Sequence, residues 1–178
     1  MKKTLSPKPK VPGYILGVDP GYGRIGIAII EKVGGSEKLI HSECFETDSK
    51  LPHPKRLLLI GEKVREIIGK FQPRKIAVET LLWSKNKKTA FQVAEARGVI
   101  LLEATRSGVL IYEYNPNQIK LAVTGYGKSD KKQIINMVEK LVKLSSLNVG
   151  KRRHDDEYDA IAIAITCAAT SLSTDALA

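Results

Sequence analysis

The stretch that most constrains the fold is YILGVDPGYGRIGIAII, residues 14–30. Its apolar run 14–18 predicts a buried strand, and this strand ends on the carboxylate of Asp19. Pro20-Gly21 then favour a turn, and the apolar run 25–30 predicts a second strand, so that the two form a β-hairpin. Aspartate often serves only to initiate such a turn. A functional role for Asp19 therefore depends on whether other carboxylates lie near it.

The length and charge of the chain predict one folded domain that binds a polyanion. The 178 residues are 43% hydrophobic and 27% charged, which is ordinary for a globular protein. The formal net charge is +10, and four lysines in residues 1–13 leave +6 for the rest of the chain. This balance favours nucleic acid as a partner. A membrane surface is disfavoured, because we find neither a basic amphipathic helix nor an apolar run of spanning length.

The chain divides into three predicted segments. Residues 1–13 contain three prolines and no acid, which predicts a disordered basic arm; residues 14–172 form the folded domain, and residues 173–178 a tail. The N-terminus lacks the apolar stretch of a secretion signal. Cys44 and Cys167 lie far apart without CxxC spacing, and so predict reduced core cysteines of a cytoplasmic protein, not a disulfide or a zinc site.

Hydrophobic periodicity predicts the remaining elements. Three further strands are expected at residues 38–47, 75–79 and 109–114, and five helices at residues 55–71, 89–105, 116–123, 129–144 and 155–172. Ser129 is the expected cap of the fourth helix. Hairpins followed by alternating strands and helices predict the α/β class, with one mixed five-stranded sheet flanked by helices.

The last predicted helix begins with a cluster of acids, in the sequence HDDEYDAIAIAI. Asp159 shares a helix face with Asp156, three positions earlier, and with Asp155, four positions earlier, whereas Glu157 points elsewhere. Acids at a helix N-terminus are common because they interact favourably with the helix dipole. That explanation suits the first three acids better than Asp159, which stands at the start of a buried run and needs a partner or a cation.

Two more acids end predicted strands. Asp19 and Glu79 lie at the carboxyl ends of their strands, where open α/β sheets bind ligands. If the last helix packs against that edge, four carboxylates converge, and oxygen ligands of this kind suit Mg²⁺ or Mn²⁺. Two such ions roughly 4 Å apart can activate water against a phosphodiester. On a basic chain, this set indicates a nuclease.

Several motifs in order resemble the RuvC family of Holliday junction resolvases, over about residues 14–169. They read GVDPGYGRIGIAII, AVET, QVAEARGV, YEYNPNQIKLAVTGYGKSDKKQI and DEYDAIAIAI. The resemblance implies an RNase H-like fold, a homodimer, and two Mg²⁺ (or Mn²⁺) per subunit. Its implied catalytic residues are the acids Asp19, Glu79, Asp156 and Asp159 and the basic residues Lys120 and Lys131, with Lys132 as an alternative to Lys131.

The chain departs from the family at the third residue after Glu79. The family commonly has an aromatic residue there that stacks on a base near the junction centre, whereas this chain has Leu82 followed by Trp83. Either Trp83 takes the stacking role through a shifted loop, or stacking is weaker in this chain. Trp83 as a packing residue is an equally open interpretation.

Two basic segments flank the predicted site. We expect them to contact phosphates, although a run of charge is also typical of a solvated loop. They contain Lys85, Lys87 and Lys88, and Lys151, Arg152 and Arg153. His154 adjoins the acids, where it could bind a metal or transfer a proton. A solvated residue before the helix is the favoured interpretation, and we leave His154 out of the catalytic set.

The predicted function is therefore a metal-dependent endonuclease that resolves four-way DNA junctions in recombination and repair. The resemblance further implies an association with a branch-migration helicase of the RuvA and RuvB type. The apolar face of the helix 89–105 is either the dimer interface or core. Alternatives are a non-catalytic junction-binding protein, an ATPase of the actin or sugar-kinase type, and a relative acting on RNA. The four acids disfavour the first, and the single short domain disfavours the second.

Overall fold

The computed structural model describes residues 13–33, 35–81, 87–144 and 153–170, so that most of the predicted arm and tail lies outside the described residues. Helices cover both faces of one mixed sheet, whose strand order is β5-β4-β1-β2-β3-β6. In chain order the elements are β1 (Tyr14–Asp19), β2 (Arg24–Val33), β3 (Ser36–Glu46), α1 (His53–Phe71), β4 (Lys75–Glu79), α2 (Lys87–Arg106), β5 (Leu110–Tyr114), α3 (Pro116–Thr124), α4 (Lys131–Leu141), β6 (Val142–Leu144) and α5 (Asp155–Thr170).

The pairing of the strands brings two acid-bearing ends together. Strands β1, β2 and β3 form an antiparallel meander, whereas β4 runs parallel to β1, and β5 runs parallel to β4. Because β1 and β4 are parallel neighbours, their carboxyl ends, Asp19 and Glu79, lie at the same edge of the sheet. The expected convergence of these two strand ends is therefore observed.

Each face of the sheet packs against its own group of helices. Alternate residues of β1 point to opposite faces, as the period of a strand requires. Ile15 packs with the side chains of α3, α4 and α5, whereas Leu16 and Val18 pack with α1 and α2. Residues 160–168 of α5 are all buried, which confirms the prediction of a helix enclosed on most sides.

Helix α5 lies unusually close to the sheet because two glycines face it. A Cβ atom at Gly17 would lie 2.1 Å from the carbonyl oxygen of Ala160, and one at Gly26 would lie 1.9 Å from that of Asp156. Both distances are far below van der Waals contact, so only glycine fits at these positions. The close approach places the first turn of α5 over the ends of β1 and β2.

The structure differs from the predicted elements near proline and near an exposed sheet edge. Helix α1 begins at His53, before the predicted residue 55, because Pro54 occupies a first-turn position that needs no N–H donor. Helix α4 is capped by Asp130, not Ser129, and ends at Leu141. The prediction of a helix to residue 144 was wrong, since Val142–Leu144 pairs with the otherwise open edge of β3 as a sixth strand.

The predicted mixed sheet with flanking helices is otherwise confirmed. Among the described residues, none of the helices has the length and apolar character required to cross a bilayer.

We expect Gly17→Ala to destabilise the protein by roughly 1–3 kcal/mol or more, because the added methyl group forces α5 away from the sheet. Urea denaturation monitored by circular dichroism would measure the change. Gly69→Ala is the matched control, since nothing lies within 4 Å of a Cβ at this position of α1. That control should be neutral or stabilising by about 0.5–1 kcal/mol. Equal stabilities for the two variants would contradict the close-packing account.

Candidate active site

Four carboxylates from three elements meet at the carboxyl edge of the sheet. Asp19 ends β1, Glu79 ends β4, and Asp156 and Asp159 lie in the first two turns of α5. We call these four residues the acidic set. Glu79 and Asp159 line a cleft of about 320 Å³ that is also bordered by α3 and α4. The structure thus brings together the four acids that the sequence singled out.

Burial and mutual repulsion raise the pKa values of three acids of this set. Burial raises the pKa of Asp19 well above its ordinary value, and the charges of Asp159, Glu79 and Asp156 raise it further. Burial, with the charge of Asp159, raises the pKa of Glu79 to about 7. The pKa of Asp159 is also raised, chiefly by burial. Partly buried carboxylates that repel one another, with only part of their charge offset by neighbouring basic residues, are a good fit for a divalent cation.

Two lysines predicted to act in catalysis border the same cleft. Lys131 Nζ donates to Asp159 Oδ2 at 3.0 Å and lies 3.3 Å from Asp155 Oδ2. Burial lowers the pKa of Lys131, but its hydrogen bonds and ion pairs with these two acids outweigh burial and raise the pKa overall. Lys120 lines the cleft from α3, and its charge lowers the pKa of Glu79. Lys132 is exposed beside Lys131.

The connection between α3 and α4 is held by a dense set of hydrogen bonds. Gly125 ends α3 in the left-handed conformation, with φ of 74°, which glycine adopts without strain. The hydroxyl oxygens of Thr124 and Ser129 lie 2.6 Å apart, and both hydroxyls bond to the carbonyl oxygen of Tyr126. Asp130 then starts α4 with a reciprocal capping box. Lys131, the first residue of α4, is therefore presented to the cleft by a fixed backbone.

Asp156 has three polar neighbours, of which the sequence placed only His154 beside the acids. Its Oδ2 atom lies 3.4 Å from Arg24 Nε, 3.9 Å from His154 Nδ1, and 3.6 Å from Cys44 Sγ, which donates to it. Among the described residues, the group of potential ligands that meets most closely is Cys44, His154 and Asp156, whose ligand atoms lie within 4.8 Å of one another. Cys44 is only partly buried, so it is not the core cysteine that its sequence predicted; Cys167 is buried.

Glu157 is buried beneath the site, although the sequence suggested only an acid that favours the helix dipole. Ser42 Oγ donates to Glu157 Oε2 at 2.7 Å, and the backbone N–H of His154 donates to Oε1 at 3.2 Å. Only 3% of Glu157 is exposed. The bond to Ser42 ties the start of α5 to β3. The one signal of this contact in the sequence was a serine at an inward-facing position of β3. That signal does not identify Glu157 as the partner.

The predicted phosphate contacts are described only in part. Lys132 is exposed, and Arg153 Nε donates to Ser42 Oγ at 3.3 Å, which gives Arg153 a role within the protein. The backbones of residues 87–88 belong to α2, so this part of the predicted basic loop is helical, and the structure does not describe the two side chains. Outside the described residues lie Leu82, Trp83, Lys85, Lys151 and Arg152.

Comparisons of sequence with known proteins agree on one family. The family model described as crossover junction endodeoxyribonuclease RuvC matches residues 15–167. The RuvC of Petrotoga mobilis is 47% identical over 150 residues, which cover 84% of this chain and 90% of that protein. The RuvC of Desulfitobacterium hafniense is 42% identical over 159 residues, which cover 89% and 93%.

A solved structure of T. thermophilus RuvC in complex with a Holliday junction substrate has the same architecture. It superposes with a TM-score of 0.79 at 31% identity, and the match covers 87% of this chain and 92% of the other. The RNase H-like fold implied by the sequence resemblance is thereby confirmed.

We expect the metal-free protein to lose stability as the pH rises from about 4.5 to about 7. The pKa of Glu79 is about 7 in the folded protein against an ordinary 4.5, so in this window the folded state binds more protons than the unfolded state. The contribution of Glu79 to stability is therefore fully present below pH 4.5 and is lost as the pH rises through about 7. In EDTA, Glu79→Gln should raise the free energy of unfolding at pH 8 by roughly 1–3 kcal/mol and change it little at pH 4.

Urea denaturation across this pH range measures the difference between variant and wild type. Glu62→Gln, an exposed acid on α1, is the control and should leave the pH profile unchanged. A difference between Glu79→Gln and wild type that is the same at pH 4 and pH 8 would contradict the raised pKa.

Proposed function

Because this chain belongs to the RuvC family of crossover junction endodeoxyribonucleases, we propose that it resolves four-way DNA junctions by paired, symmetric nicks at the acidic set. It is a nuclease, and family membership implies dependence on a divalent metal. The observation that supports the site is the convergence of acids from β1, β4 and α5, three of which, Asp19, Glu79 and Asp159, have raised pKa values.

In this proposal the acidic set holds two Mg²⁺ ions per subunit, which Mn²⁺ can replace. When bound, such ions supply an activated water and stabilise the leaving oxygen of the phosphodiester. The protein's own contribution is the fixed position of the carboxylates, since two end paired strands and two lie on a helix packed against those strands. Lys131 and Lys120 border the cleft and stabilise negative charge that develops on the phosphate.

Junction DNA as substrate is supported by charge and by the fold. The chain carries a net charge of +10, and its fold matches that of the T. thermophilus protein solved with a Holliday junction. We propose that Lys132, which is exposed, and Arg24, whose side chain is 52% exposed beside Asp156, contact the phosphate backbone. Outside the described residues, the basic side chains near residues 85 and 151 and the Leu82–Trp83 pair remain proposed DNA contacts.

A homodimer is supported by helix α2, which has two apolar faces. Ala96, Ile100 and Ala104 are buried in the core. On the opposite face, the side chains of Phe91 and Leu102 are 70% and 47% exposed. Gly98 lies between them on the same face, because it is seven residues after Phe91 and four residues before Leu102. Two large apolar residues around a glycine make a surface suited to packing against the same helix of a second copy. In this proposal the buried face of the helix is core, and the exposed face is the dimer interface.

Two further parts of the proposal concern the partner and the location of the enzyme. An association with a branch-migration helicase of the RuvA and RuvB type would bring the enzyme to the junctions that it cuts. A cytoplasmic location is supported by the two cysteines, both of which are free thiols. The nuclease is favoured over the binding-only and ATPase alternatives by the names of the relatives at 42–47% identity.

We expect the wild-type protein with Mg²⁺ to cut a synthetic four-way junction and to spare a linear duplex with the same arms. EDTA should abolish cutting, and Asp19→Asn should reduce it by on the order of 10³-fold or more, since electrostatic stabilisation by a metal is worth several kcal/mol. Gel-shift binding by Asp19→Asn should persist.

The products of this assay also test the dimer, because a dimer should make two symmetric nicks within the lifetime of one complex. Full activity of Asp19→Asn would overturn the acidic set, unpaired nicks would overturn the dimer, and equal cutting of duplex and junction would overturn the proposed substrate.

We expect Lys131→Met to slow junction cutting by about 10²–10³-fold, as loss of one charge-stabilising donor typically does. Lys132→Met is the matched control, because it removes the same charge one residue away on the exposed side of α4. Single-turnover rates at saturating protein separate this loss from weaker binding. If Lys132→Met cuts the junction more slowly than Lys131→Met does, the catalytic role belongs to Lys132 and not to Lys131.

A further inference from the structure

A cysteine, a histidine and an aspartate meet beside the proposed catalytic cleft, on the side nearest to β3. Asp156 Oδ2 lies 3.6 Å from Cys44 Sγ and 3.9 Å from His154 Nδ1, and all three ligand atoms lie within 4.8 Å of one another. Around a tetrahedral zinc ion, such sulfur, nitrogen and oxygen ligands lie about 3.4–3.6 Å apart, given the usual bond lengths. The two distances from Asp156 Oδ2 are close to these values. Cys44 Sγ and the ring nitrogen of His154, which lie no more than 4.8 Å apart, are the pair with the most room to move together.

The backbones that carry these ligands are held in place. Ser42 and Cys44 lie two residues apart and so face the same side of β3. The buried bond of Ser42 Oγ to Glu157 at 2.7 Å fixes the start of α5 above them. The backbone of His154 is bonded to Glu157 through both its N–H and its carbonyl group. Two rigid elements thus present the three side chains to one another.

The chemistry of the ligands distinguishes this trio from the acidic set. Carboxylates alone suit Mg²⁺ and Mn²⁺, whereas thiolate and imidazole ligands favour Zn²⁺. The side chain of His154 is 57% exposed, so an ion can enter from solvent, and a water molecule can complete the tetrahedron.

Two features of the surroundings oppose a cation here. Arg24 lies 3.4 Å from Asp156, but its half-exposed side chain can move toward solvent. Burial, with the charge of Asp156, raises the pKa of Cys44 to about 11, so binding must displace the thiol proton. Glu46 also raises that pKa, and its negative charge attracts the ion.

We propose that Cys44, His154 and Asp156 form a Zn²⁺ site that competes with the catalytic ions for Asp156. A zinc ion on these three ligands engages a carboxylate that the proposed catalytic reaction needs, so zinc inhibits junction cleavage. The inhibition rests on the proposed function, whereas the binding site itself does not.

Cobalt titration of the full-length, metal-free protein tests the site without reference to activity. Co²⁺ bound to a thiolate gives a charge-transfer absorption in the near ultraviolet, which Co²⁺ on carboxylates alone does not. We expect this band to saturate at one ion per chain and to disappear when Zn²⁺ is added. It should be absent from Cys44→Ser and present in Cys167→Ala, the matched control with the other, buried cysteine.

His154→Gln should weaken Zn²⁺ binding at least about 10-fold in isothermal titration calorimetry. Circular dichroism checks that each variant is folded. Absence of the band from folded wild-type protein, or its persistence in Cys44→Ser, would overturn the site.

A second arm tests the effect on catalysis. With Mg²⁺ in excess, micromolar Zn²⁺ should slow junction cutting by wild type and affect Cys44→Ser and His154→Gln less, each relative to its own rate without zinc. A cobalt band with zinc-insensitive cutting would overturn the competition for Asp156. Failure of wild type to cut with Mg²⁺ alone would instead overturn the proposed function, and the cobalt band would still decide the zinc site.

Discussion

The contact between α5 and the glycines of β1 and β2 determines the geometry of the whole site. Gly17 and Gly26 allow backbone atoms of α5 to approach positions that any side chain would occupy. This approach places Asp156 and Asp159 over strands that end in Asp19 and, through β4, Glu79. A helix held farther from the sheet would move Asp156 and Asp159 away from Asp19 and Glu79.

The same geometry stores unfavourable electrostatic energy in the folded protein. Burial and mutual repulsion raise the pKa values of Asp19, Glu79 and Asp159, so the ionised cleft is costly without a cation. Lys131 offsets part of this cost through Asp159. Sites of this kind exchange stability for function, and the large, rigid sheet with a core on each face supplies the stability that the acidic set lowers.

Features encoded locally could be predicted from the sequence, and features made by distant contacts could not. The positions of Asp19 and Glu79 at strand ends could be predicted from the apolar runs that precede them. A functional role for Asp159 could be predicted from its place at the start of a buried run. Glu157 looked like an ordinary helix-start acid because its partner, Ser42, is 115 positions away. The contact of Asp156 with Cys44 was missed for the same reason, since Cys44 is 112 positions away. Strand β6 was not predicted because its three residues form a strand only through their pairing with the open edge of β3.

The hydrogen-bonded connection between α3 and α4 has a thermodynamic consequence for DNA binding. A flexible loop that orders around a ligand loses conformational entropy at that moment, which weakens binding. Here Thr124, Ser129 and the cap at Asp130 have already fixed the backbone that carries Tyr126 and Lys131. This part of the surface can therefore engage a phosphate with a smaller loss of conformational entropy than a flexible loop would incur.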